Sequence, residues 1–121
     1  MNIESVKSLF MLFSGEDDAD RYAPLIRLAV KETESMLLPE ADSADIRLDF
    51  LSAAIAFYRM RRILAARDRE KYTYAGKMPS AGQDSSAVYA ERLLRDYISL
   101  CSDLISSDTF VFMSFSGGKE K

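Results

Sequence analysis

The sequence predicts a mainly α fold, a small bundle of four helices. Apolar residues recur at the three- and four-residue spacing of amphipathic helices along most of the 121-residue chain. Stretches rich in Gly, Pro, Ser and Asp interrupt this spacing and divide it into four helical segments. Hydrophobic residues make up 48% of the chain, enough for a packed core, and the length suits one domain. We therefore expect a single helical domain over residues 1–115, followed by a flexible C-terminal tail at 116–121.

The first two helices are bounded by clear start and stop signals. A first helix should begin near Ile3 and end at Ser14-Gly15. Four carboxylates within residues 16–20 come next, and such groups favour the positive end of a helix dipole. A second helix should run from there to about Leu38, where Pro39 stops it.

The third helix is the longest and the most apolar. Asp42-Ser43 can cap it, and it should run from about Ala44 to near Arg69. Its stretch 50–60 is apolar almost all round, as expected of a central helix that the others enclose. A glycine- and proline-containing loop over 72–84 should follow, and then a fourth helix from residue 84 or 85 to about Ile105.

An apolar segment near the C-terminus does not fit a purely helical protein. Residues 110–115 read Phe-Val-Phe-Met-Ser-Phe, so that, apart from the serine, both faces of a strand would be apolar. An exposed edge of this kind invites pairing with another chain. The β-prone stretch Tyr72-Thr73-Tyr74 is the natural partner within the chain, giving a candidate two-stranded element of about 72–76 with 110–115. Pairing with a second subunit is the alternative, and the sequence leaves both open.

Composition excludes several classes of function. The net charge of −3 argues against nucleic-acid binding driven by the charge of the whole domain. No apolar run approaches the ~20 residues that a membrane span needs, and the N-terminus lacks the layout of a signal peptide. A single cysteine allows no internal disulfide. We expect a cytoplasmic protein without a membrane partner or a small-molecule substrate.

The sequence also shows no catalytic, cofactor or metal site. The chain has no histidine, which removes imidazole-based hydrolases and most zinc sites. Cys101 lies within the apolar face of the fourth helix, where it should pack as a small hydrophobe. The acidic cluster at 16–20 lacks the ligand pattern of a calcium loop, and Gly117-Gly118-Lys119 lacks the flanking elements of a phosphate-binding loop. We therefore expect no enzyme.

A basic run stands out against the acidic first half of the chain. Residues 1–58 hold 11 acids and 5 bases, whereas 59–71 hold 6 bases and 2 acids. On a helix, Arg59, Arg62 and Arg69 fall within one narrow sector that could face a carboxylate or a phosphate. Arg61 instead falls on the core stripe, so that it should either meet a carboxylate or mark where the third helix leaves the core. Complementing the helix dipole, contacting a protein and contacting nucleic acid are all open roles for the run.

The order of these elements resembles small phage head–tail connector proteins, also called adaptor or DNA-packaging proteins, which are often encoded in prophages. The resemblance spans roughly residues 15–115. It rests on the acidic helix start, the long apolar helix through Ala53–Tyr58, the glycine loop at 74–76, the amphipathic fourth helix and the terminal Phe110-Val111-Phe112.

The resemblance implies a structural subunit that performs no chemistry and forms a ring between portal and tail. Its partners would be further copies of itself and portal or tail proteins, in the bacterial cytoplasm and then in the virion. Unlike charges on 1–58 and 59–71 would suit head-to-tail contacts around a ring. The predicted interface residues are Phe110, Val111, Phe112, Met113, Phe115, Arg59, Arg62 and Arg69. The alternative is a small helical regulatory or nucleic-acid-binding module that uses the basic segment 59–71.

Overall fold

The computed structural model describes residues 1–74 and 85–106, except for the side chains of Arg69, 71–74, Ser85 and Ser86. Four α-helices make up most of this part, α1 (Ile3–Ser14), α2 (Ala23–Met36), α3 (Ile46–Tyr74) and α4 (Ser85–Leu100). The predicted mainly α, bundle-like fold is confirmed. The segment 110–115 and the tail 116–121 lie outside the described residues.

Helix α1 has a defined cap at each end. The Asn2 side chain accepts hydrogen bonds from the backbone N–H groups of Glu4 and Ser5, which have no partner within the helix. At the other end Gly15 has a φ of 77°, and its N–H donates to the Met11 carbonyl. This left-handed conformation suits glycine best, so that Ser14-Gly15 ends the helix as predicted.

A single 3₁₀ turn over Ala19–Tyr22 leads into α2. Asp18 caps this turn by accepting from the Asp20 N–H, which gives the acidic cluster its predicted role at a helix start. Helix α2 ends at Met36, earlier than the predicted Leu38, and Pro39 does not stop it. The reason is a long-range contact, since Leu37 is extended and forms an antiparallel β-bridge with Ile105.

Helix α3 starts later and ends later than predicted. Asp45 caps it by accepting from the Arg47 N–H, whereas Asp42 accepts from the Ala44 N–H in the preceding turn. The helix then continues to Tyr74, so that Tyr72–Tyr74 is helical and the predicted β-strand at this position is wrong. Extending an existing helix is easier than starting a strand, because each added residue gains one hydrogen bond.

The core is built around α3, which packs against α1, α2 and α4. Residues 51–58 are all buried, as expected of an enclosed central helix. An aromatic cluster joins α1, α3 and α4, in which the Phe13 ring lies 5.7 Å from that of Tyr97, and Tyr97 lies 5.4 Å from Phe50. Most aromatic side chains of the described helices therefore serve packing.

One polar contact crosses the core between α2 and α3. The Ser52 hydroxyl donates to Thr33 Oγ1 over 2.9 Å, and the Thr33 hydroxyl donates to the Ala29 carbonyl over 3.0 Å. Both side chains are fully buried. The pair satisfies two hydroxyl groups that would otherwise lie in an apolar environment.

Candidate interaction surfaces

The ends of α2 and α4 meet where the chain leaves the described bundle. After α4, a turn over 101–104 leads to the bridge at Ile105. The Leu38 N–H donates to the Leu104 carbonyl over 2.9 Å, and the Ser106 N–H donates to the Met36 carbonyl over 2.8 Å. The predicted interface residues Phe110, Val111, Phe112, Met113 and Phe115 follow this point and lie outside the described residues.

Arg59 is engaged within the chain. Its guanidinium reaches from α3 to the Glu32 carboxylate on α2, with Nη1 2.7 Å from Oε1 and Nη2 2.8 Å from Oε2. Both side chains are about three-quarters buried, which limits screening by solvent. This two-pronged contact joins α2 to α3.

Arg62 lies one turn further along α3 and is exposed. Its Nη1 donates to the Tyr58 hydroxyl over 3.1 Å, and its guanidinium lies 5.8 Å from the centre of the same ring. Burial raises the pKa of the Tyr58 hydroxyl, and the hydrogen bond from Arg62 partly opposes this shift. Arg69 also lies on α3, but its side chain is outside the described part.

The buried part of α3 ends just before Arg61. Met60 is buried, whereas every described side chain from Arg61 to Glu70 is half-buried or exposed. Arg61 therefore marks where the helix leaves the core, which is one of the two roles predicted for it.

Two of the surface grooves along α3 beyond Met60, here called its outer half, also involve a neighbouring helix. The first lies between α3 and α4, has a volume of about 280 Å³, and is lined by small and polar side chains: Tyr58, Arg62, Ala65, Ala66, Ala87, Val88 and Glu91. The second, here called the α2–α3 groove, has a volume of about 170 Å³ and a mostly apolar floor formed by Tyr22, Pro24, Leu25, Met60, Ile63 and Leu64. Arg21 and Arg67 flank the α2–α3 groove.

Large apolar side chains are exposed on several helices. On and beside the α2–α3 groove, Leu28 is 47% exposed and Ile63 is 45% exposed. The others in the described residues are Leu12, Ile46, Val88, Tyr89 and Leu100. The sequence analysis did not predict that these apolar side chains would be exposed. Ile63 alone lies within the basic run, where exposure could have been expected.

Arg47 links the start of α3 to the end of α4, a role that was not predicted from the sequence. Its guanidinium donates to Asp45 Oδ2 over 2.9 Å, to Asp103 Oδ1 over 3.0 Å and to the Leu100 carbonyl over 3.1 Å. The side-chain and backbone hydrogen bonds from Arg47 hold the pKa of the Asp45 carboxyl below its usual value. This cluster fits a structural role, since each charge has a partner inside the chain.

Cys101 is fully buried, as predicted. Its thiol donates to the Arg47 carbonyl over 3.4 Å. Burial raises the pKa of the thiol to about 11, because the thiolate would lose its solvation. A neutral, enclosed thiol is a core group and a poor nucleophile.

The acidic residues of the described ranges do not assemble into a metal site. No group of three or more Asp, Glu, Cys or His side chains could hold a metal ion within residues 1–74 and 85–106. Asp20 instead pairs with Lys7 on α1, at 3.0 Å. In the same ranges, no helix is long and apolar enough to cross a membrane.

Comparison with known proteins identifies no relative. No family model, no curated protein and no solved structure is significantly similar to the chain.

Proposed function

We propose that the chain is a non-enzymatic structural subunit of a phage-derived head–tail connector, acting through protein–protein contacts in a ring. The observation that carries this proposal is the outer half of α3. The helix continues from Met60, the last buried residue among its described side chains, to Tyr74, a length of about 20 Å. It carries exposed basic side chains along this length, Arg62 and Arg67 among them, and the exposed apolar Val88 of α4 lines the same groove as Arg62.

A surface of this kind suits contact with neighbouring subunits. Interfaces combine apolar contacts with arginine, which is enriched in them relative to other charged residues. Of the predicted interface arginines Arg59, Arg62 and Arg69, Arg62 is the one that the structure describes as exposed. The acidic turn at 16–20 supplies the opposite charge, with Asp17 and Asp18 exposed.

The ion pairs of the described residues also support a structural role. Arg47–Asp103 and Arg59–Glu32 join different elements of the fold, and Arg95–Glu91 links two successive turns of α4. The engagement of Arg59 by Glu32 leaves less positive charge for a phosphate, and it equally occupies one of the arginines predicted for the connector interface.

The test is whether the full-length protein binds a portal protein whose gene lies near its own. We expect it to bind the portal ring and to form a regular ring there, seen by electron microscopy. Arg62→Glu should weaken binding at least tenfold. The matched control is Arg92→Glu, which changes an exposed arginine on the outer side of α4.

Two results would contradict the connector function. One is the absence of portal and tail genes near this gene together with no binding to any portal. The other is salt-dependent binding to generic DNA that Arg62→Glu abolishes, which is the behaviour of the alternative module.

A further inference from the structure

We infer that the apolar segment 110–115 of this chain docks into the α2–α3 groove of the same molecule. The docking is intramolecular, so that it does not depend on the connector function. Three observations carry it: the direction in which the chain passes Ser106, the distance from Ser106 to the groove, and the chemistry of the two surfaces.

The first observation is the direction of the chain at Ser106. Residues 104–106 run antiparallel to 36–38, since Leu37 pairs with Ile105 and Ser106 donates to the Met36 carbonyl. At Ser106 the chain is therefore running from Leu37 back towards α2, on which half of the groove lies.

The second observation is the distance. Met36, at the bridge, and Leu25, in the groove, are eleven residues apart on α2, or about 17 Å along its axis. An extended chain covers this distance in about five residues. A chain extended from Ser106 would reach the edge of the groove at residue 111 and lay 112–115 over its floor.

The route between the bridge and the groove follows the seam of α2 and α3. The two helices are antiparallel there, because Thr33 meets Ser52 near one end and Leu25 lines the groove with Ile63 near the other. Leu28 and Ile63 are both nearly half exposed along this seam. An extended segment laid on it would cover both side chains.

The third observation is the chemistry. Five of the six residues in 110–115 are apolar, and no charged residue occurs from Thr109 to Gly118. In an extended segment Val111, Met113 and Phe115 share one face, which is wholly apolar, whereas Ser114 lies on the other. The apolar face matches a floor made by Tyr22, Pro24, Leu25, Met60, Ile63 and Leu64.

A disulfide-trapping experiment on the full-length chain tests the docking. Ile63→Cys is combined with Met113→Cys under mild oxidation, and Cys101 is kept because it is buried. Leu12→Cys with Met113→Cys is the matched control, since Leu12 is 71% exposed on α1 and does not line the groove. Mixing heavy- and light-isotope chains separates links within a chain from links between chains.

We expect the 63–113 pair to form a link within one chain at least tenfold faster than the 12–113 pair. Equal rates for the two pairs, or 63–113 links found only between chains, would overturn the proposal. The second of these results would mean that the groove receives a neighbouring copy.

An accessibility measurement on the single variant Ile63→Cys provides an independent check. Its alkylation should be at least tenfold faster when Val111, Met113 and Phe115 are all changed to Asp, because the charged segment would leave the groove. Far-UV circular dichroism confirms that both proteins remain folded. An unchanged alkylation rate would contradict the docking.

Discussion

Replacing Thr33 by Val should destabilise the protein, because the Ser52 hydroxyl loses its oxygen acceptor and keeps only the weaker sulfur acceptor Met1 Sδ, at 3.1 Å. Ser52 donates to Thr33 Oγ1 over 2.9 Å, and neither side chain is exposed to water. Valine has nearly the shape of threonine but offers no acceptor. A buried hydroxyl without a partner costs about 1–3 kcal/mol, and the weak Met1 acceptor reduces this cost, so that we expect a loss of about 1.5 kcal/mol in the free energy of unfolding.

The reciprocal change should be milder. Ser52→Ala leaves the Thr33 hydroxyl donating to the Ala29 carbonyl, and it removes one net hydrogen bond worth about 1 kcal/mol. In the double variant, Thr33→Val with Ser52→Ala, neither hydroxyl remains, so that none is left without an acceptor. It should therefore be less destabilised than the sum of the single variants, by about 1 kcal/mol.

Urea unfolding followed by circular dichroism measures all four proteins of this double-mutant cycle. Ser35→Ala is a matched control, because this serine is exposed on the same helix and should change stability by less than about 0.5 kcal/mol. Strict additivity of the two buried changes would refute the reasoning, since it would mean that the hydroxyl groups do not depend on each other.

Three further predictions concern a helix cap and two titrating groups. Gly15→Ala should cost about 1 kcal/mol in thermal or urea unfolding through backbone strain alone, because φ is 77° and nothing lies within 4 Å of the new methyl group; Gly15→Asn should cost less. The pKa of Asp45 is lowered on folding, so its contribution to stability is present above its unfolded pKa and disappears as pH falls through the lower folded value; Asp45→Asn should flatten the acid side of the stability–pH curve. The pKa of Cys101 is raised to about 11, so its contribution is present below the unfolded pKa and disappears as pH rises from about 9 towards 11. Cys101→Ala should reduce the alkaline slope without removing it, because the pKa values of Tyr58 and Tyr97 are also raised, and an unchanged slope would contradict the assignment.

The sequence predicted the helices and their buried faces well, because both depend on local periodicity. On α4, for instance, Ala90 and Leu94 are buried as expected, and so is Cys101 in the turn that follows this helix. The boundaries that failed were decided by contacts between distant parts of the chain. Leu37 ends α2 because it pairs with Ile105, and no local signal near Pro39 could have shown this.

The candidate surfaces were less predictable than the fold. The sequence placed Arg59 and Arg62 in one sector, but it did not indicate that Glu32 would engage Arg59. The α2–α3 groove was also not foreseen. It depends on how far apart two packed helices lie, and Ile63 and Leu64 read equally well as ordinary core residues.

The central position of α3 has a consequence for the order of folding. Most contacts between helices in the described part involve α3, so that α1, α2 and α4 have little to pack against until it forms. Truncations within 51–58, such as Ile55→Val, should therefore mainly slow folding, whereas Leu94→Ala on α4 should mainly speed unfolding. Stopped-flow measurements of the folding and unfolding rates of the two variants would show the difference. The unfolding rate, and with it the lifetime of the native protein, would then be set by the packing of α1, α2 and α4 against α3.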